Sequence, residues 1–416
     1  MIDLTNQMSY RISNLDVENE RISYQMSTGK ILDDGSDDAV LYSKVIDIES
    51  NLRTYEGLET QIERTTAQNE VADSSINEVK NTLDAIKVDL LKSLNSGMSR
   101  DDRVAVAKNM EGMRDNLYSL MNTQIDDEFI FAGSNTTIQS YEKDEDFKIN
   151  GQIDFKGNGH LRSIAVEPNT YRERGVSAYD VLMYNTDTTE VDNAISFTEQ
   201  ETVLDEYGNT WKLNDTKDRL EKYNENGTKS QYVDSAGNLH DEYLEVTSDG
   251  GTPATYTSET LEDASNADPK HISDKTASGL LLETKHNTFD DLNIMINALY
   301  GYSTKQTDDD TNGQKDQIID DESVREILAD SLEKMSNQFD ATNVGHSELG
   351  GRNRIFETSL DSISSKVTHY NILLQETNSA DMGKLAMESK ALELTYNALY
   401  STVSKMNQLS LVNFLK

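Results

Sequence analysis

The sequence predicts a mainly α chain with a β-rich insert, an α+β fold whose N- and C-terminal helices pair as a coiled coil or helical rod. Three observations predict it. Pro168, Pro253 and Pro269, the only prolines, and the single Trp211 all fall in the middle of the 416 residues. Both ends, free of proline, carry apolar residues at the 3.5-residue period of a helix seam. Between them the apolar period drops to two and turn residues recur.

Met8, Ile12, Leu15, Ile22 and Met26 follow 4–3 spacing, with Asn19 at the one polar seam position. Leu41, Val45, Ile48, Leu52, Tyr55 and Ile62 repeat the pattern, and Ala72, Ile76, Val79, Leu83, Ile86 and Leu90 continue it after a one-residue slip. A third stretch reads Val106, Met110, Met113, Leu117 and Leu120. Toward the other end come Leu328, Leu332, Met335 and Phe339, then Phe356, Leu360, Ile363, Val367, Tyr370 and Leu374. Leu385, Leu392, Leu399 and Met406 close the chain at seven-residue intervals. At about 1.5 Å per residue, residues 41–94 make a helical rod of roughly 80 Å. The narrow-seamed helices at the extreme ends have little nearby in sequence to cover them, and such helices need partners. Met8, Ile12, Leu15, Ile22, Met26, Leu385, Leu392, Leu399 and Met406 are therefore the expected assembly seam.

Gly29 and the run from Leu32 to Asp38 break the first helix from the second. Ser36 is placed to cap the second helix, with Asp37 and Asp38 opposing its dipole. Phe129-Ile130-Phe131-Ala132-Gly133 is too short and too apolar for another helix and reads as a buried strand entering a turn. Beyond it Phe147 and Ile149 face Ile153 and Phe155 across Asn150-Gly151 in an expected hairpin. Ile164 and Val166 alternate with polar residues, and turn markers recur through Asp249-Gly250-Gly251. Helical spacing returns at Phe289, Leu292, Ile296 and Leu299. The expected division is 1–33 with 380–416 as an inner domain, 34–133 with 286–379 as a rod, and 134–285 as the β-rich outer insert.

Hydrophobic residues make up 35% of the chain and aromatics 7%, which suits narrow seams better than one thick core. The formal charge of −37 is not offset by any basic patch, so a nucleic-acid footprint is absent. There is no cysteine, which excludes disulfides, thiolate chemistry and cysteine-based zinc sites. No run approaches the ~18 apolar residues of a membrane span. The first residues have neither a basic region nor an apolar stretch, so export without a Sec-type signal is expected.

The six histidines show no ligand spacing, and no nucleophile elbow, phosphate loop or dinucleotide fingerprint occurs. Neither catalytic residues nor a cofactor are expected. Asp308, Asp310, Asn312 and Gly313 copy the first half of a calcium loop, with Asp320 as a further candidate ligand. The second half fails, because position twelve is Ile319. No metal site is assigned, and an acidic loop between helices accounts for the run.

Several segments are more specific than the periodicity. Ser27-Thr28-Gly29-Lys30 followed by Gly35-Ser36-Asp37-Asp38-Ala39 resembles the "SGKR…PSDDP" segment of the flagellin superfamily, with Gly35 and Ala39 in place of its prolines. Asp126-Asp127-Glu128-Phe129-Ile130-Phe131-Ala132-Gly133-Ser134 is similar to the "GEYLFAGT" segment of one branch, the junction proteins on the filament side of the hook. Residues 155–160 and 175–181 resemble that branch's "Y.GN.G…G.DVF" stretch, and Gly351-Arg352-Asn353-Arg354 fits as well. The likeness covers roughly residues 1–183 and 286–416.

This resemblance implies an extracellular structural subunit, not an enzyme. It would form a ring of its own copies between the hook-side junction protein and flagellin. It would leave the cell by the flagellar type III route, with an export chaperone on its C-terminal helix, and bind neither nucleic acid nor membrane. Filament flagellin is the alternative reading.

Overall fold

The computed structural model describes residues 2–32, 38–95, 97–144, 147, 151–189, 193–224, 226–234, 237–251, 254–278, 280–302 and 319–414. The side chains of residues 2–5 and 406–414 are outside that description. The chain divides into two compact units, Met1–Gln61 with Ser359–Lys416, and Ile62–Thr358.

The helices are α1 (Ile2–Thr28), α2 (Ala39–Ser93), α3 (Arg100–Met121), α4 (Ala178–Val181), α5 (Leu261–Asn266), α6 (Asp274–Ala277), α7 (Thr288–Tyr300), α8 (Asp321–Asn378) and α9 (Met382–Phe414). The unit boundary falls within the two longest, α2 and α8. Helix α2 begins at Ala39, so Asp38, not Ser36, stands at its cap. The Asp38 carboxylate accepts from the Val40 and Leu41 amides at 3.0 Å. Ser36 and Asp37 lie outside the described residues. Helix α3 opens with a reciprocal capping box between Ser99 and Asp102.

In the first unit α1 lies antiparallel to α9, Asp16 meeting Tyr396 and Arg21 meeting Glu388. Val45, Ile48 and Leu52 of α2 and Ile363 of α8 are buried, and the Tyr55 and Tyr370 rings stack at 5.4 Å.

Among the described residues the second unit shows two apolar cores. One gathers Ile76, Val79, Leu83 and Ile86 of α2, Met110 and Leu117 of α3, Leu292 and Ile296 of α7, and Leu328 and Met335 of α8. Phe131, Tyr141, Ile153 and Tyr179 join it from the segments between these helices. The second core, around Trp211, belongs to the insert.

Small hairpins come first. They pair β1 (Gln124–Ile125) with β2 (Glu128–Phe129), β3 (Tyr141–Lys143) with β4 (Ile153–Phe155), and β5 (Ser163–Glu167) with β6 (Thr170–Glu173). Two expectations are corrected. The strand at Phe129 ends there, and Ile130–Gly133 is a run of turns. Ile153 and Phe155 pair with Lys143 and Tyr141, not with the stretch at Phe147. The Gly151 amide bonds back to the Phe147 carbonyl, a tight local turn that removes Phe147 from the ladder. Ile149 and Asn150 lie outside the described residues.

The insert proper comprises β7 (Met183–Thr189), β8 (Ser196–Thr198), β9 (Thr202–Asp205), β10 (Thr210–Leu213), β11 (Arg219–Tyr223), β12 (Gln231–Val233), β13 (Leu239–Asp241), β14 (Tyr243–Ser248), β15 (Thr255–Ser258) and β16 (Leu282–Asn287). Eight of these form one sheet in the order β7-β16-β9-β10-β11-β14-β15-β8, while β12 and β13 pair separately. Every pairing is antiparallel, so the sheet needs no helical crossover. Helix α7 follows β16 at once, capped by the Asn287 side chain, and sinks Phe289, Leu292, Ile296 and Leu299 into the first core as their spacing predicts.

Phe131 is fully buried in that first core, although it sits in a turn. Phe131→Ala is expected to destabilise this unit by about 3–5 kcal/mol, measured by urea unfolding followed by circular dichroism.

Candidate assembly interface

The terminal helices meet along a narrow seam. Ile22, Ala380, Leu385 and Leu392 are buried together, with Leu15, Ile31 and Tyr396 packed at the edge. Of the residues singled out by spacing, the structure brings together Leu15, Ile22, Leu385 and Leu392. Met8, Ile12 and Leu399 are half-buried, and Met26 is exposed. The Met406 side chain lies outside the described residues.

Met26 is displaced because a straight helix drifts against a seven-residue repeat by about 20° per heptad. Gln25 turns inward in its place and donates to the Ile31 carbonyl at 2.6 Å. Spacing also missed Ile31 and Ala380, which lie in the connections between helices, where no period operates. There the Ile31 amide donates to the Asn378 carbonyl at 2.8 Å and the Ala380 amide to the Gly29 carbonyl at 2.9 Å. Gly29 turns with φ +68, a conformation that side chains with a Cβ resist.

Polar contacts line the seam's margins. Arg21 bonds Glu18 at 2.9 Å within its own helix and Glu388 of α9 at 3.1 Å, and the Glu18 hydrogen bond raises its pKa. The Tyr396 hydroxyl donates to Asp16 at 2.6 Å, which pushes its pKa up to about 12.

A second apolar row faces outward on each helix. Tyr10 and Val17 of α1, seven residues apart, are 69% and 64% exposed. Met387 and Leu394 of α9, again seven apart, are 70% and 63% exposed. Each helix thus carries two stripes, and this chain covers one.

The quoted motif segments from Asp126 onward meet in the second unit. Asp126 and Asp127 both adopt positive φ, the form of a two-residue hairpin turn. That turn delivers Glu128 to Arg162 and Arg174, each at 2.8 Å, with Arg64 at 3.9 Å and the Gln68 amide at 3.3 Å. Burial by itself would raise the Glu128 carboxyl, but the bonds from Arg174 and Arg162 outweigh it and hold the group at about 2. Phe129 and Ile130 are half-buried, while Phe131 and Ala132 are fully enclosed. Gly133 has φ +82, and a Cβ there would fall 2.3 Å from Asn158 Oδ1. Asn158 in turn accepts from the Ser134 amide at 3.0 Å. The Ala178 amide donates to the Phe131 carbonyl at 2.8 Å, and Arg352 of α8 donates to the Gly175 carbonyl at 3.0 Å. These segments are a clasp, and their residues serve packing. Asp320 of the acidic loop caps α8, accepting from the Ser323 amide at 2.8 Å. Asp308, Asp310, Asn312 and Gly313 lie outside the described residues.

Residues 3–136 match the family model of the bacterial flagellin N-terminal helical region. The chain is similar to flagellar hook-associated protein 3 of Salmonella typhimurium, 27% identical over 148 residues, which is 34% of this chain and 46% of that protein. The protein of the same name from Escherichia coli is 28% identical over 160 residues, 36% of this chain and 50% of its own. This is a likeness to the flagellin superfamily over part of the chain. Its matches span about half the length of these relatives. A solved flagellar hook-associated protein 3 from Legionella pneumophila aligns at 14% identity over 79% of this chain and 97% of its own, with a TM-score of 0.47. The region matched by the family model ends at Thr136, whose carbonyl accepts from the Phe129 amide of the clasp at 2.9 Å.

The depressed Glu128 pKa fixes a pH dependence. A carboxylate ionised more readily in the folded state contributes stability that is fully present above its ordinary value of 4.5 and is lost as pH falls toward about 2. Stability of the second unit is expected to fall across that window. In Glu128→Gln the fall should flatten, read from urea midpoints at pH 2 to 5.

Proposed function

We propose that this chain is a structural subunit of the bacterial flagellum, seated on the filament side of the hook–filament junction, and that it catalyses no reaction. The observation that carries the reading is the pair of terminal helices, sealed to each other by one stripe and presenting a second to the outside. An exposed apolar row at helical spacing is a surface for another helix. The similarity to hook-associated protein 3 supports a place in the flagellum.

In this reading the terminal helices pair as a coiled coil, with residues 1–33 and 380–416 innermost. Residues 34–133 and 286–379 form the surrounding rod, and 134–285 project outward. Copies meet through heterologous contacts, which close into a ring when the rotation permits. The hook-side junction protein lies on one side of that ring and flagellin on the other. The subunit reaches this place by the flagellar type III route, handed over by an export chaperone that holds its C-terminal helix. The tasks then divide between the seam and the outward row. Leu15, Ile22, Leu385 and Leu392 hold the two ends together, and the outward row makes the contact between copies.

Immunogold electron microscopy of intact flagella, with antibody raised against residues 184–284, tests the placement. Label in one band where hook meets filament is the expected result. Label along the whole filament assigns the chain to filament flagellin instead, and bare flagella remove both readings. Leu394→Asp, on the outward row, is expected to abolish the band while leaving the circular dichroism of the purified chain unchanged. Leu392→Asp, in the buried seam, should lower helicity as well.

A further inference from the structure

Three charged residues occupy core positions of the insert sheet. Along β11 the inward side chains are Leu220 and Lys222, along β9 they are Val203 and Asp205, and Glu242 precedes Leu244 and Val246 of β14 at the same parity. All three are more than nine-tenths buried. Trp211 of β10 pairs with Lys222 on one side and Val203 on the other. The Lys222 amine therefore lies 5.7 Å from the indole ring centre, between Asp205 Oδ2 at 3.8 Å and Glu242 Oε2 at 3.6 Å.

As an ion pair this arrangement is poorly satisfied. Both carboxylates stand beyond hydrogen-bond reach of the amine. An ammonium has three protons to give, and among the described residues this one makes a single hydrogen bond, to Thr276 Oγ1 at 3.2 Å. A charge buried on such terms is costly. The carboxylates do not depend on it. Glu242 Oε1 accepts from the Ser273 amide and hydroxyl and from Thr276, and its Oε2 accepts from Ser230. Asp205 Oδ1 accepts from the Tyr207 and Asn209 amides at 3.1 and 2.9 Å and from the Asn209 side chain.

We propose that Lys222 and Asp205 are joined by an intramolecular amide that the folded insert forms by itself, with Glu242 relaying the proton. Transfer of one proton from Nζ to Asp205 Oδ2 neutralises the pair. The amine then attacks the Asp205 carboxyl carbon, and the negative charge that develops on Oδ1 falls where the Tyr207 and Asn209 amides point. Glu242 Oε2 takes the second proton from the nitrogen and delivers it to Oδ2, which leaves as water. The third proton remains on the amide nitrogen. An ammonium and a carboxylate become one amide and one water, with no oxidant or cofactor. The bond ties β9 to β11 across β10, a covalent staple in a chain that has no cysteine.

The inference is independent of the flagellar reading. Intact-mass spectrometry of the full chain, purified and then denatured, is expected to show a mass one water below that of the sequence. Proteolysis should release a branched peptide linking the segments that contain Asp205 and Lys222. Lys222→Arg keeps the charge but cannot form the amide, and Glu242→Gln removes the relay. Both should restore the full mass, and Glu242→Gln guards against a folding defect in the first. A wild-type chain of full mass, a water loss that persists in Lys222→Arg, or a loss mapped to a succinimide at Asp249-Gly250 would each overturn the proposal.

Discussion

The structure depends on covering apolar stripes that are only one helix seam wide. Such a stripe contributes too little locally to hold a helix in water, so each must find another stripe. In the first unit the cover for α1 comes from the opposite end of the chain, where Leu385 and Leu392 close over Leu15 and Ile22. The connections at Gly29 and Ala380 hydrogen-bond to one another, which sets the register at which the two helices begin to pair. In the second unit the same demand is met by more partners. The stripe from Ile76 to Leu90 is buried by α3, α7 and α8 together.

Where several helices and a sheet converge, loops must cross the core, and their polar backbone needs partners. The segment from Asp126 to Ser134 answers that need. Its turn places Glu128 among cations and its apolar residues enter the core. Its carbonyls are taken by amides of later segments, and Gly133 allows Asn158 to come close enough to hold the end. This is why a short motif reads so specifically in a chain whose ends are merely periodic. Each of its positions is constrained by a different neighbour.

The insert solves its own burial with an antiparallel sheet and a separate core around Trp211. It admits charge into that core at Asp205, Lys222 and Glu242, surrounded by hydroxyls and backbone amides. This interior cluster is ordered by strand parity.

The long helices, the presence of a β-rich region and the buried face of α7 were readable from the sequence, because period and proline placement act locally and over many residues. The motif around Phe131 was readable as a buried segment, although not as turns, since a short apolar run looks alike in either form. Tertiary structure decided what periodicity leaves open. It chose Gln25 over Met26 for the seam, because the drift of a helix against a heptad is set by the partner it meets. It paired Ile153 with Lys143, because the turn at Gly151 closes on Phe147 first. It also brought Lys222 to Asp205 and Glu242, residues whose charge hides them in a sequence with 75 acids. Their meeting depends on four strands, β9, β10, β11 and β14, finding one register, and no local pattern in the chain records that.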